Sequence, residues 1–247
     1  MIFSFLSINF EIQSTLNMIK SKTTILLFIH TLLGVTLVLY RTILASNAAE
    51  KVFTSEHSSI TDVPFLFLLW NLFLAWIPYL LSIGIKLSAN DHKQEQLNWL
   101  VLVVWLLFFP NAPYLVTDLL HLKPRAPIPF LYDALLFFFF ACLGLMLAYL
   151  SLAKVQAFLI HRFSRPVAWS LIFLFMALSS FGIYIGRFLR WNSWDVLIQP
   201  QALAYSLGHL FQQNESRPSF YLLTGLMSVL LMVGYISFSQ VVKISKK

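Results

Sequence analysis

Six long apolar runs separated by short polar stretches decide what this chain can fold into. They cover residues 25–45, 63–87, 97–120, 130–153, 167–189 and 220–242. A helix needs about 20 apolar residues to cross the roughly 30 Å hydrocarbon core of a bilayer, and each run meets or approaches that length. None alternates strictly between apolar and polar residues, so helices are expected rather than a barrel. Only 11% of the 247 residues are charged, less than half of the about 25% usual in soluble domains and too few to coat a water-soluble surface. The expectation is an all-α, multi-pass helical membrane bundle of six transmembrane spans over residues 25–242. Residues 1–24 form a cytoplasmic N-terminus and 243–247 a basic cytoplasmic tail.

The third run is the least regular. Leu97 to Phe109 is apolar, and Pro110-Asn111-Ala112-Pro113 then interrupts it. A proline lacks the N–H that a helix needs and its ring clashes with the preceding turn, so this span is expected to break near Pro110–Pro113. It either kinks and continues to Leu120 or ends as a half-helix followed by a shallow second piece. Irregular backbone at this depth survives only when buried in protein or lining a wet cavity. Residues 123–129, with three prolines, read as an extended turn. From Pro200, Leu203, Leu207, Leu210 and Phe211 recur on one helical face, and proline suits a first helical turn. A short amphipathic helix fits, either lying on the membrane surface or capping the bundle.

The formal net charge is +7. Most Lys and Arg sit in short loops and at the C-terminus, where membrane topology accounts for them and nucleic acid is not implied. One side would hold ten: Lys20, Lys22, Lys86, Lys93, Lys154, Arg162, Arg165, Lys243, Lys246 and Lys247. The other would hold seven: Arg41, Lys51, Lys123, Arg125, Arg187, Arg190 and Arg217. Engaging Arg187 and Arg190 in a buried site would sharpen the contrast to ten against five. Both termini are therefore expected in the cytoplasm, with the loops near 46–62, 121–129 and 190–219 outside. Met18, followed by Lys20 and Lys22, reads as a natural start, and residues 1–17 as an upstream extension. The first run is long for a signal core and no small-residue cleavage site follows, which fits an uncleaved anchor. A single cysteine, Cys142, excludes an intramolecular disulfide. No glycine-rich phosphate loop, HExxH or GxSxG motif is present.

Ionisable residues in or beside membrane spans are costly and need a partner or a purpose. Tyr114, Asp118 and His121 follow helical spacing and would share one face. Tyr132-Asp133 opens the fourth span. Tyr184, Arg187 and Arg190 also follow helical spacing, putting both arginines on one face, with Asp195 shortly after. Six alternating spans carry all of these, together with Asn71 and Asn111, to one end of the bundle.

Several stretches resemble a known family. These are Trp70-Asn71-Leu72-Phe73-Leu74-Ala75-Trp76-Ile77-Pro78-Tyr79, Phe108-Phe109-Pro110-Asn111-Ala112-Pro113-Tyr114, Thr117-Asp118-Leu119, Tyr132-Asp133 and Gly186-Arg187-Phe188-Leu189-Arg190-Trp191-Asn192-Ser193-Trp194-Asp195. They are similar to the bacterial integral membrane family called domain of unknown function 1361, over roughly residues 25 to 240. The resemblance implies a multi-span bacterial membrane protein, located in the cytoplasmic (inner) membrane, and brings no activity, substrate or cofactor. Leu131 stands where an aromatic is expected before the Tyr-Asp pair, so that position is not essential.

Three readings of the polar residues follow. Asp118, Asp133 and Asp195 with Arg187, Arg190 and His121 can form a purely structural network. A membrane enzyme would hold a lipid-linked anionic substrate on Arg187 and Arg190, with Asp118 or Asp133 as general base and His121 as acid. A metal on Asp118, His121 and Asp133 is the weaker enzymatic variant. A small-solute or proton-coupled transporter would use Asp118 or Asp133 as carrier beside the broken span. Asn71, Asn111, Tyr114, Tyr132 and Tyr184 are further polar-site candidates. No cofactor or metal is called for; His30 lies alone on an apolar helix. The partners are the lipid bilayer and an unknown small-molecule or lipid ligand, with a homo-oligomer or membrane complex compatible. Gly182 and Gly186, four apart, permit close helix approach. Trp70, Trp99, Trp169, Trp191 and Trp194 fit interfacial belts.

Overall fold

The computed structural model describes residues 22–46, 65–87, 92–126, 128–212 and 217–244. The suggested start-site extension, most of the loop at 46–62 and the end of the basic tail lie outside them. Among the described residues the chain is helical, with a lone bridge between Arg125 and Ile128 in the proline-rich turn. The helices are α1 (Lys22–Ser46), α2 (Leu66–Gly84), α3 (His92–Phe108), α4 (Asn111–Thr117), α5 (Phe130–Arg162), α6 (Arg165–Tyr184), α7 (Asp195–Ile198), α8 (Pro200–Gln212) and α9 (Arg217–Ile244). Six segments are long and apolar enough to cross a membrane: Lys22–Ser46, Leu66–Gly84, His92–His121, Phe130–Arg162, Arg165–Leu189 and Phe220–Val241. These six apolar helices fit an integral membrane protein.

The third span breaks where its prolines require. Helix α3 ends at Phe108, Phe109 and Pro110 form a turn, and α4 restarts at Asn111 before a 3₁₀ turn over Asp118–His121. The break leaves carbonyls without helical donors. The Asn111 side chain satisfies one by donating from Nδ2 to the Phe108 carbonyl at 2.9 Å.

The chain forms two compact units. The first comprises residues up to Leu66 together with Lys123–Phe139 and therefore holds α1 and the start of α5. The second comprises Phe67–Leu122 and Phe140–Lys247. Its core is aromatic: Trp105 is fully buried, stacks on Phe109 at 4.5 Å and donates its indole N–H to Ser151 Oγ at 3.2 Å. That hydrogen bond matters because an unpaired indole N–H in a lipid-like interior is costly. Glycine lets α5 approach α4, since a Cβ at Gly144 would meet the Ala112 carbonyl oxygen at 2.5 Å. Helix α6 packs along α9. Just past the end of α2, Asn98 takes both backbone polar groups of Lys86, accepting from its N–H at 3.1 Å and donating to its carbonyl at 2.8 Å.

Helix α8 runs over Pro200–Gln212, as its apolar spacing requires. Its leucines face protein: Leu203 and Leu207 line a cavity, and Leu210 is buried against Tyr184 and Phe220. These contacts fit the bundle-capping role.

Candidate functional site

In the second unit, α4, the 3₁₀ turn and the end of α6 converge on Arg187. Helix α6 changes winding at Ile185–Leu189, where five residues form a π turn. The turn closes with Arg190 in the left-handed region, φ 59°. This corrects the expectation that Arg187 and Arg190 share a face. Three-residue spacing keeps side chains together on an α-helix, but the wider i→i+5 winding of a π turn rotates them apart. Arg187 turns inward and Arg190 is exposed.

Arg187 is held on several sides. Its Nη2 donates to Asp118 Oδ1 at 2.5 Å and to Thr117 Oγ1 at 2.8 Å. Its Nε donates to Thr117 Oγ1 at 3.1 Å, and its Nη1 lies 2.5 Å from His121 Nε2. A guanidinium only donates, so His121 Nε2 accepts and has no proton to give. The guanidinium also stacks over Tyr114, 4.3 Å from the ring centroid. Asp118 is 0% exposed and completes its pairing by accepting from Asn71 Nδ2 at 2.9 Å. The glycines four apart make room for this: a Cβ at Gly182 would meet Pro110 at 2.9 Å, and one at Gly186 would meet Tyr114 at 3.3 Å.

Asp133 is held differently. In the first unit Arg41 grips it bidentately, Nε to Oδ1 at 3.1 Å and Nη2 to Oδ2 at 3.2 Å. Both side chains are sealed, at 2% and 0% exposure. The Tyr132 hydroxyl donates to the Leu37 carbonyl at 2.8 Å. Asp195 also departs from the expected pairing with arginine. Its Oδ2 accepts from the Asn192 N–H at 2.7 Å and from Asn192 Nδ2 at 3.2 Å, closing its own turn. Tyr184 is buried in an apolar cluster with Leu210 and Phe220, stacked on Phe188 at 4.7 Å. Within the second unit the structure thus unites Asn71, Tyr114, Asp118, His121 and Arg187 and gives Arg190, Asp195 and Tyr184 other surroundings; within the first, Asp133 pairs with Arg41 and Tyr132 with the Leu37 carbonyl. Among the described residues no three His, Cys, Asp or Glu side chains gather into a metal-binding group.

A cavity of about 560 Å³ opens beside the Arg187 cluster. Its walls are largely leucines from α2, α3, α6 and α8, and its polar end is formed by Asn71, Asn111, Tyr114, Asn192 and Ser193. Asn71 and Tyr114 belong to both cavity and cluster. Asn111 is fixed across the cavity floor, donating to Ser193 Oγ at 3.0 Å.

Sequence reasoning missed Arg41, Thr117 and the Trp191–Ser193 corner. Arg41 carried a usable signal, because it lies inside the first apolar run, where a charge demands a partner. Thr117 gave none, since a threonine near a helix end usually bonds only its own backbone.

Residues 70–233 match the family described as Protein of unknown function (DUF1361). The chain belongs to this family. No curated protein and no solved structure matches it. The matched region of this DUF1361 protein contains the whole Arg187 cluster and all the polar residues of the cavity.

Proposed function

We propose that this protein binds an amphiphilic molecule in the cavity between α2, α3, α6 and α8, with the Asp118–Arg187 cluster acting as the frame that fixes the polar end. One observation carries the reading. Asn71 and Tyr114 each line the cavity and are each locked from behind, Asn71 by Asp118 and Tyr114 by the Arg187 guanidinium. Preorganised polar groups at one end of a largely apolar pocket suit a ligand with a small head and an apolar body. The volume falls within the roughly 300–1,000 Å³ of small-molecule sites.

The catalytic and transport readings are less well supported. A general base needs an acceptor aimed at substrate, whereas Asp118 is buried and paired on both oxygens. A proton or cation carrier needs a carboxylate that can change partners, whereas Asp118 and Asp133 each hold an arginine. We place the cavity at the outer leaflet of a bacterial cytoplasmic membrane, with both termini inside. Engagement of Arg41 and Arg187 in ion pairs supports this orientation. Removing these two from the free loop charges leaves ten Lys and Arg on the proposed inner side against five outside.

Native mass spectrometry of the protein extracted from its membrane tests the reading. A retained amphiphile is expected, and Leu107→Trp, which fills the cavity, should remove it while the thermal midpoint holds. A native protein that carries none, or adducts unchanged in Leu107→Trp, would overturn it.

A further inference from the structure

Three asparagines line the polar end of the cavity, and each has its amide nitrogen engaged elsewhere. Asn71 Nδ2 donates to the Asp118 carboxylate at 2.9 Å, and Asn192 Nδ2 to the Asp195 carboxylate at 3.2 Å. Asn111 Nδ2 donates to the Phe108 carbonyl at 2.9 Å and to Ser193 Oγ at 3.0 Å. Carboxylates and carbonyls only accept, so chemistry fixes which end of each amide faces its partner. All three Oδ1 atoms are left with no protein hydrogen bond among the described residues.

The remaining polar groups are uncharged. The hydroxyls of Tyr114 and Ser193 can donate or accept, and the indoles of Trp70 and Trp191 donate. Among the described residues no Lys, Arg, Asp or Glu lines the cavity, and the Arg187 guanidinium behind Tyr114 is engaged by Asp118, Thr117 and His121. A phosphate or carboxylate head would meet three acceptor oxygens and no free cation. A bare ammonium would use those oxygens and leave the indole donors unmatched. A hydroxyl both donates and accepts, so a head carrying several hydroxyls satisfies the whole set, with aromatic rings against its C–H faces.

We infer that the cavity takes a neutral, polyhydroxylated amphiphile, a sugar- or polyol-headed lipid, and discriminates against anionic heads. The inference rests on the amphiphile-binding reading and names the chemistry of its head group.

The test uses the full chain held in a polyoxyethylene ether detergent and titrated in native mass spectrometry. Four single-chain probes are compared: dodecyl glucoside, monolaurin, dodecyl phosphate and dodecylamine. The first two separate a sugar source of hydroxyls from a glycerol source. At least one of them should bind about tenfold more tightly than dodecyl phosphate, the effect of one to two extra neutral hydrogen bonds. Asn192→Leu, at the exposed rim, should weaken that hydroxyl probe about fivefold and leave the phosphate probe unchanged. Dodecyl phosphate or dodecylamine binding as tightly as both hydroxyl probes overturns the inference and leaves amphiphile binding intact. Failure of every probe to form an adduct overturns both. Should Asn192→Leu not fold, the ranking of heads on the native protein decides alone.

Discussion

Two arginine–aspartate pairs in this protein solve the same electrostatic problem in opposite ways. Arg41 and Asp133 form a closed fork, two parallel hydrogen bonds with both side chains out of solvent. Phe65 covers the guanidinium at 4.2 Å and has a positive φ of 85°, a conformation unusual for an aromatic residue. Arg187 instead distributes its donors over Asp118, Thr117 and His121 and lends its face to Tyr114. The first pair turns its two hydrogen bonds on itself. The second fixes neighbours that go on to form a cavity wall. A buried ion pair is weak support for stability in general, because desolvation offsets attraction; its value lies in what it positions. For Arg41–Asp133 that is the contact between α1 and the start of α5, and for Arg187–Asp118 it is the polar end of a pocket.

The contrast can be broken most sharply at Asp133. Asp133→Ala leaves Arg41 buried and unpaired, and a loss of about 3–5 kcal/mol is expected, seen as a collapse of folded yield and thermal midpoint. Replacing both partners, Arg41→Leu with Asp133→Leu, should recover most of that loss, since no charge is stranded. A double variant as unstable as the single would show that the pair does more than pin helices. Asp118→Asn comes next. It keeps an acceptor for Arg187 but removes the charge, and about 1.5–3 kcal/mol should be lost. Because Asn71 loses its fixed partner, amphiphile adducts should fall in the protein that remains folded; unchanged adducts would separate the cluster from the cavity.

Gly186→Ala tests the same coupling with less disruption. The added Cβ would press on Tyr114 at 3.3 Å, and displacing the ring should cost about 1–3 kcal/mol and weaken binding. The smallest effect belongs to Arg190→Ala. An exposed side chain without an ion pair among the described residues should change stability by no more than about 0.5 kcal/mol. A larger shift in the thermal midpoint would return Arg190 to the site from which the π turn has removed it.

Much of the fold was legible in the chain. The six spans follow from the length of the apolar runs, and the break in the third follows from Pro110 and Pro113. Part of the site was legible too. Tyr114, Asp118 and His121 lie close in sequence, so local spacing was enough to bring them to one side. The pairing of Asp133 with Arg41 was not legible, because the two lie 92 positions apart and Arg41 reads in the sequence as one more topology charge. Arg190 was misplaced for a different reason: spacing arguments assume α-helical winding, and the π turn violates it.

The sequence by itself determined that this chain carries six runs long and apolar enough to cross a bilayer, and where its few charges fall along each run. Those properties depend on hydropathy summed along a line, with proline as punctuation. Only the tertiary structure decided which arginine holds which aspartate and which way each asparagine turns its amide. Pairing depends on helix rotation and on contacts between residues remote in the chain. A charge that is costly in lipid is satisfied by whichever partner the packed helices bring within reach, and the order of the residues does not say which that is.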